Sequence, residues 1–170
     1  MNFVLAIRTP SLAEVPTIRI HSSCIFSEVF GSKLCDCAEQ LHASLNYIRE
    51  HGGILFYLDQ EGRGHGIHEK TRELKLQETG LDTVEASEAL RLNVDARDYR
   101  VVSDILKEMG ISSVKIMTNN PRKISALEKD SISIAERIAL EMKANKFNKR
   151  YLAVKKSKLG HMLANETVES

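Results

Sequence analysis

Short apolar runs of extended character alternate with amphipathic stretches along almost the whole chain, and this alternation constrains the fold more than any other feature. The extended runs fall at residues 15–21, Ile54–Leu58, 114–117 and 132–138, with amphipathic stretches near Cys37–His51, 69–79, 84–92, 99–109 and Pro121–Lys129. Gly52, Gly80 and Gly110 each follow a helix-like run, as C-caps do, and Asn120-Pro121 reads as an N-cap with proline at the first helical position. The pattern predicts an α/β fold in which helices cover a sheet. No repeat, low-complexity tract or linker divides it. At 170 residues and 42% hydrophobic content it reads as one soluble domain followed by a basic tail, which excludes a disordered, fibrous or collagen-like chain.

The longest apolar stretch, Ile54–Leu58, falls far short of the roughly 18 residues a membrane span needs, so no membrane partner is expected. The apolar run at residues 3–7 has neither a preceding basic region nor a small-residue cleavage site, and a cytoplasmic location is expected. A net charge of +1 argues against a general nucleic-acid coat, although charge is concentrated locally. Residues 143–165 contain no acidic side chain but carry Lys143, Lys146, Lys149, Arg150, Lys155, Lys156 and Lys158. Such a run is usually a solvated surface helix or tail; the sharper alternative is a site for nucleic acid or a polyphosphate.

All three cysteines, Cys24, Cys35 and Cys37, fall within fourteen residues, and an odd count argues against a disulfide framework. Buried core filler is one explanation, since free cysteine packs as a small hydrophobe. Against it, Asp36 separates two of the three, and the helix expected over 36–51 puts Cys35 and Cys37 at its N-terminus, where the dipole favours thiolate. The cluster therefore points to a metal. A fourth ligand from His21 or His42 would make the site structural; an open fourth position would make it catalytic. Zinc lowers the pKa of bound water from about 15.7 to about 7, on the order of 12 kcal/mol towards hydroxide at neutral pH.

Two loops could hold a ligand or anion and a third could be catalytic, and each also has a plain structural explanation. Glu61-Gly62-Arg63-Gly64-His65-Gly66 follows an apolar strand, where α/β ligands dock, yet glycine could serve only the turn. Thr118-Asn119-Asn120-Pro121-Arg122-Lys123 offers backbone donors and a lysine at a helix start, or a simple cap. Asp95-Ala96-Arg97-Asp98-Tyr99 alternates charge on a short connection, which is more often a surface ion-pair network than a catalytic device.

Taken in order, R-I-H-S-S-C, C-D-C-A-E-Q-L, Q-E-G-R-G, L-D-T-V-E-A, D-A-R-D-Y, T-N-N-P-R-K and Y-L-x-x-K-x-x-K-L-G-H resemble GTP cyclohydrolase II from about Val4 to Leu163. The resemblance implies a single α/β domain, a mixed β-sheet flanked by helices, over residues 1–163 with a flexible tail at 164–170. It implies zinc on Cys24, Cys35 and Cys37 with water as fourth ligand, and magnesium on the leaving pyrophosphate. Family contacts to GTP match Arg19, Ile20, His21, Ser22, Ser23, Gln40, Glu61, Gly62, Arg63, Thr83, Thr118 and Lys123. Family catalysis matches Asp95 as proton acceptor and Arg97 as nucleophile towards the α-phosphate; an arginine that is always protonated could instead stabilise transition-state charge. The implied reaction opens the imidazole ring of GTP at C8 and releases formate and pyrophosphate, the first step of riboflavin biosynthesis, in a homodimer.

The sequence departs from the family pattern in three respects. Ser23 stands where glutamate is usual, Leu74 replaces a tyrosine beside the base pocket, and about thirty residues that normally precede the first strand are absent, an N-terminally shortened form. Leucine cannot hydrogen-bond a water or a formyl oxygen, so Leu74 could determine the product: a relative that keeps the formyl group and gives a formamidopyrimidine nucleotide is the first alternative. A catalytically silent zinc domain that binds GTP or nucleic acid is the second. His65 and His68, three residues apart, could form a second metal or proton-transfer site, but without a third ligand they read rather as surface residues.

Overall fold

The computed structural model describes residues 4–164. In chain order the elements are β1 (Val4–Arg8), β2 (Thr17–Ser22), α1 (Ile25–Glu28), α2 (Cys37–His51), β3 (Ile54–Leu58), a 3-10 turn (Glu61–Gly64), α3 (Gly66–Glu78), α4 (Thr83–Ala89), α5 (Arg100–Glu108), β4 (Ser113–Met117), α6 (Pro121–Lys129), β5 (Ser133–Ile138) and α7 (Lys149–Ser157). The strands form one sheet in the order β1-β3-β2-β4-β5, with β1 antiparallel to β3 and every other pair parallel. This is the mixed, helix-flanked α/β sheet the sequence predicts.

Side chains on β2 and β3 alternate between two faces. Ile18, Ile20, Ile54, Phe56 and Leu58 meet Val102 and Leu106 of α5 and Leu127 of α6 in one apolar core. Each such residue contributes about 1.5–3 kcal/mol on burial, so this face holds the sheet together. The opposite face of β2 carries Arg19 and His21, buried to 4% and 2% exposure beneath α2. Charged groups in that position need partners or a ligand.

The chain leaves β2 towards β3 on one side, whereas β4 leads to β5 on the other. Their carboxyl ends therefore part, and a crevice opens at this reversal, where α/β sheets commonly bind ligands. Local chemistry fixes the loops around it. Asn120 Oδ1 accepts from Arg122 N at 2.9 Å, with Pro121 opening α6 as expected. Asp82 and Glu85 form a reciprocal capping box on α4. Gly53, at φ +144°, lies where a Cβ would come within 2.3 Å of the Thr17 carbonyl oxygen, so α2 can approach β2 only through glycine.

The basic segment is a wall rather than a tail: α7 buries Leu152 and Val154, and the chain after it returns to the loop that follows β4, where Met162 N donates to Asn119 O at 2.9 Å. Of the expected tail at 164–170, only Ala164 is among the described residues. No described helix is long and apolar enough to cross a membrane.

Candidate functional site

Cys24 precedes α1, Cys35 lies in the loop before α2, and Cys37 opens α2. Their Sγ atoms all lie within 4.8 Å of one another, with Cys24 and Cys35 3.6 Å apart. Three corners of a zinc tetrahedron with bonds of about 2.3 Å require sulfur separations of about 3.8 Å, so the trio fits such an ion. Among the described residues, no histidine or carboxylate joins the group, which leaves His21 and His42 outside it. Hydrogen bonds from Cys24 and Cys37 pull the Cys35 thiol down to about 3, and the same shared contacts push Cys37 up. Lys70 Nζ donates to Cys24 Sγ at 3.1 Å and to Glu61 Oε1 at 2.5 Å, which adds positive charge beside the sulfurs.

His21 is held elsewhere. Its Nε2 donates to Glu28 Oε1 at 2.8 Å, and Glu28 Oε2 accepts from the Tyr57 hydroxyl at 2.6 Å. Burial pushes the Glu28 carboxyl up, but the bonds from His21 and Tyr57 outweigh it and hold the group below its ordinary value. His21 Nδ1 is left buried without a partner on the wall of the crevice.

That crevice is lined by Arg19, Arg63, Arg97, Lys123 and Lys155, with Asp36 the carboxylate among them. Arg19 donates to Met117 O at 3.0 Å and Gln40 Oε1 at 2.7 Å, and burial lowers it to about 10. Lys123 Nζ donates to Ile20 O at 2.8 Å; burial, then Arg19 and Arg97, push its ammonium well below the usual lysine range. Arg63 donates to Thr83 O and Ser87 Oγ, each at 3.2 Å, and also bonds Thr83 Oγ1. A second chamber, lined by the three cysteines, Glu61, Leu74 and Thr83, shares Ser22, Cys37, Arg63, Arg97 and Tyr151 with the first.

Asp95 binds Arg97 through two bonds, from Nε to Oδ1 at 2.8 Å and from Nη2 to Oδ2 at 2.7 Å, while Arg122 Nη1 lies 2.8 Å from Oδ2. Unlike a surface ion-pair network, both partners of the Asp95–Arg97 pair are largely shielded, at 7% and 16% side-chain exposure. Burial raises the Asp95 carboxyl, but Arg97 overcomes this and holds it below the ordinary range; Asp95 in turn outweighs the burial of Arg97 and raises its guanidinium.

Not every predicted contact presents its side chain. Ile20 points into the apolar core and offers only its carbonyl, because β2 alternates and its neighbours Arg19 and His21 take the site face. Gln40 already spends both ends of its amide, accepting from Arg19 and donating to Asp36 Oδ2 at 2.6 Å. Glu61 accepts from Ile25 N at 2.6 Å as well as from Lys70, which ties the glycine turn to α1. Ser22 and Ser23 hydroxyls are buried with no partner, and Thr118 Oγ1 accepts from Asn120 N at 3.1 Å. His65 bonds the Asn93 carbonyl and His68 pairs with Glu69, so the two share no site. The sequence gives no individual role to Asp36, or to Tyr151, Lys155 and His161 of the Y-L-x-x-K-x-x-K-L-G-H motif, all of which line the crevice.

The family model for GTP cyclohydrolase II matches residues 3–139. Riboflavin biosynthesis protein RibBA of Bacillus subtilis (strain 168) is 52% identical over 147 residues, 86% of this chain and 37% of that protein. RibBA of Bacillus cereus (strain G9842) is 49% identical over 154 residues, 90% of this chain and 39% of that protein. GTP cyclohydrolase-2 of Campylobacter fetus subsp. fetus (strain 82-40) is 47% identical over 161 residues, 94% of this chain and 82% of that protein. The chain thus spans less than two fifths of the RibBA relatives and most of the cyclohydrolase relative.

Proposed function

The chain belongs to the GTP cyclohydrolase II family, and from that premise we propose that it hydrolyses GTP, opening the guanine imidazole ring at C8 and releasing formate and pyrophosphate. One observation carries the reading: a three-thiol set with metal geometry shares a wall with a chamber lined by five cationic side chains, of which Arg19 and Lys123 are buried. Cys24, Cys35 and Cys37 would hold zinc, which supplies an activated water for hydrolysis of the ring. Sulfur donors favour zinc over magnesium or calcium. Among the described residues there is no second group of three metal-ligating side chains, so magnesium would arrive on the triphosphate itself.

This chain's own residues do the rest. The base would lie in the cysteine chamber against Leu74 and the Glu61-Gly62-Arg63 turn, with the phosphates beyond the shared wall among Arg19, Arg63, Arg97 and Lys123. A triphosphate carries up to about four negative charges, and these groups would neutralise it without reorganising. The doubly bonded Asp95 supports a positioning role that orients Arg97 and keeps it charged, and Arg97 would act on the α-phosphate as a charge stabiliser. Gln40 would need to exchange one of its protein bonds to read the guanine edge.

Leu74 supports a second reading, in which ring opening stops with the formyl group retained, because the cysteine chamber has an apolar wall at that position. Incubation of the metal-analysed protein with GTP, followed by mass spectrometry and assays for formate and pyrophosphate, separates the cases. Both products support full hydrolysis, and pyrophosphate without formate supports the second reading. Release of neither overturns both and leaves a binding domain.

A further inference from the structure

The crevice holds more positive charge than the protein around it neutralises. Arg97 faces Asp95, and Lys155 faces Asp36 at 3.2 Å. The bonds of Arg19, Arg63 and Lys123 described above go instead to carbonyl, hydroxyl and amide oxygens. Buried cations without a counter-charge are costly, and an anionic ligand offsets that cost.

The closing side of the crevice comes from chain beyond residue 139, the last residue the family model covers. There α7 contributes Tyr151 and Lys155, and a strap at 158–164 crosses over. Lys158 ties the start of the strap to Asp82 and Glu85, and further along His161 N donates to Lys155 O at 3.0 Å, Met162 N to Asn119 O at 2.9 Å and Ala164 N to Glu141 Oε2 at 2.9 Å. They hold His161 against the cavity with its Nδ1 buried and unpartnered. The charged groups facing it are Lys155 from α7, Arg97 from the loop before α5 and Lys123 from α6, with Asp36, Arg19 and Arg63 further round the same wall. Burial, then Lys155, Arg97 and Lys123, push His161 down to about 4, so the ring is neutral at pH 7 while cations dominate its surroundings. A polyphosphate reverses the sign of that field, and a protonated Nδ1 is then a donor to a phosphoryl oxygen.

We propose that α7 and the strap complete a subsite for a linear polyphosphate chain, in which Lys155 and His161 contact the anion and His161 takes up a proton as the anion enters. The inference rests on reading this crevice as the phosphate end of the nucleotide site. It assigns two binding residues and a proton linkage within the Y-L-x-x-K-x-x-K-L-G-H motif, which lies beyond the span of the family model.

Calorimetric titration of the full-length protein with inorganic tripolyphosphate at pH 6 and pH 8 tests it, using wild type, K155M, K155R and H161Q with matched thermal melts. K155M is expected to weaken binding at least about tenfold at both pH values, and K155R less. H161Q is expected to weaken binding more at pH 6, with the gap to wild type at least about threefold wider than at pH 8; protonation of the ligand itself cancels in that comparison. Equal affinities, a gap that does not change with pH, or wild type that binds no tripolyphosphate would overturn the proposal. If K155M fails to fold, K155R and H161Q decide. GTP run in parallel separates the two ideas. Tripolyphosphate binding with this pattern in a protein that leaves GTP intact defeats the proposed activity but keeps the subsite, whereas GTP turnover with both variants binding like wild type does the reverse.

Discussion

Cys35 sits in the sulfur cluster, 3.6 Å from Cys24, and hydrogen bonds from Cys24 and Cys37 pull its thiol down. Replacement of Cys35 by serine removes a soft donor from a set of three, so the zinc-to-protein ratio measured by mass spectrometry of digested samples should fall from about one to well below half. His161 gives a prediction about stability. Its folded value of about 4 lies below the ordinary 6.5, so between those limits the unfolded chain binds more protons and stability rises with pH. The contribution is complete above about pH 6.5, is lost as pH falls towards 4, and amounts to at most about 3 kcal/mol. Urea titrations at pH 7.5 and pH 4.5 should show a smaller acid loss in H161Q than in wild type. Residues of these two kinds differ in legibility. The cysteines announce themselves because C-x10-C-x-C is a local spacing. Lys155 and His161 stand in a recognisable motif but their surroundings do not show there, since an ion pair from Lys155 to Asp36 across 119 positions leaves no mark on nearby sequence.

Elements with strong local signals match expectation at both ends: Ile54–Leu58 as an apolar run, Cys37–His51 through its closing glycine, and Pro121–Lys129 through Asn120 and proline. The four-residue α1 and the 3-10 turn are too short to show any periodicity. Helix α7 was obscured by its charge, because lysines that would solvate a surface helix here surround a buried Leu152. Two glycines test how closely elements must approach. Gly53→Ala forces a methyl against the Thr17 carbonyl at a positive φ and should cost about 3 kcal/mol or more, read by urea denaturation. Gly64→Ala meets the Ala96 backbone at 3.1 Å, so it should displace the Asp95–Arg97 loop and lower GTP turnover by about tenfold or more while stability falls less. Equal turnover in that variant would show that the loop does not depend on the turn.

At the scale of the whole molecule, a net charge of +1 conceals a strong separation, with cations gathered where β2 and β4 part. Stopped-flow binding of tripolyphosphate should therefore slow by about tenfold between 0.05 and 0.5 M salt, whereas a diffuse surface charge of one unit would leave the rate nearly unchanged. The fold class was legible from the order of the elements, but the crevice was not, because strand order is a property of the sheet and not of any segment. The wall common to both chambers has a mechanical implication on the proposed reading. A substrate gripped at its phosphates is already presented to the sulfur-bound ion, so bonds at opposite ends of one molecule can be cut from a single docking, like a workpiece clamped once between two tools.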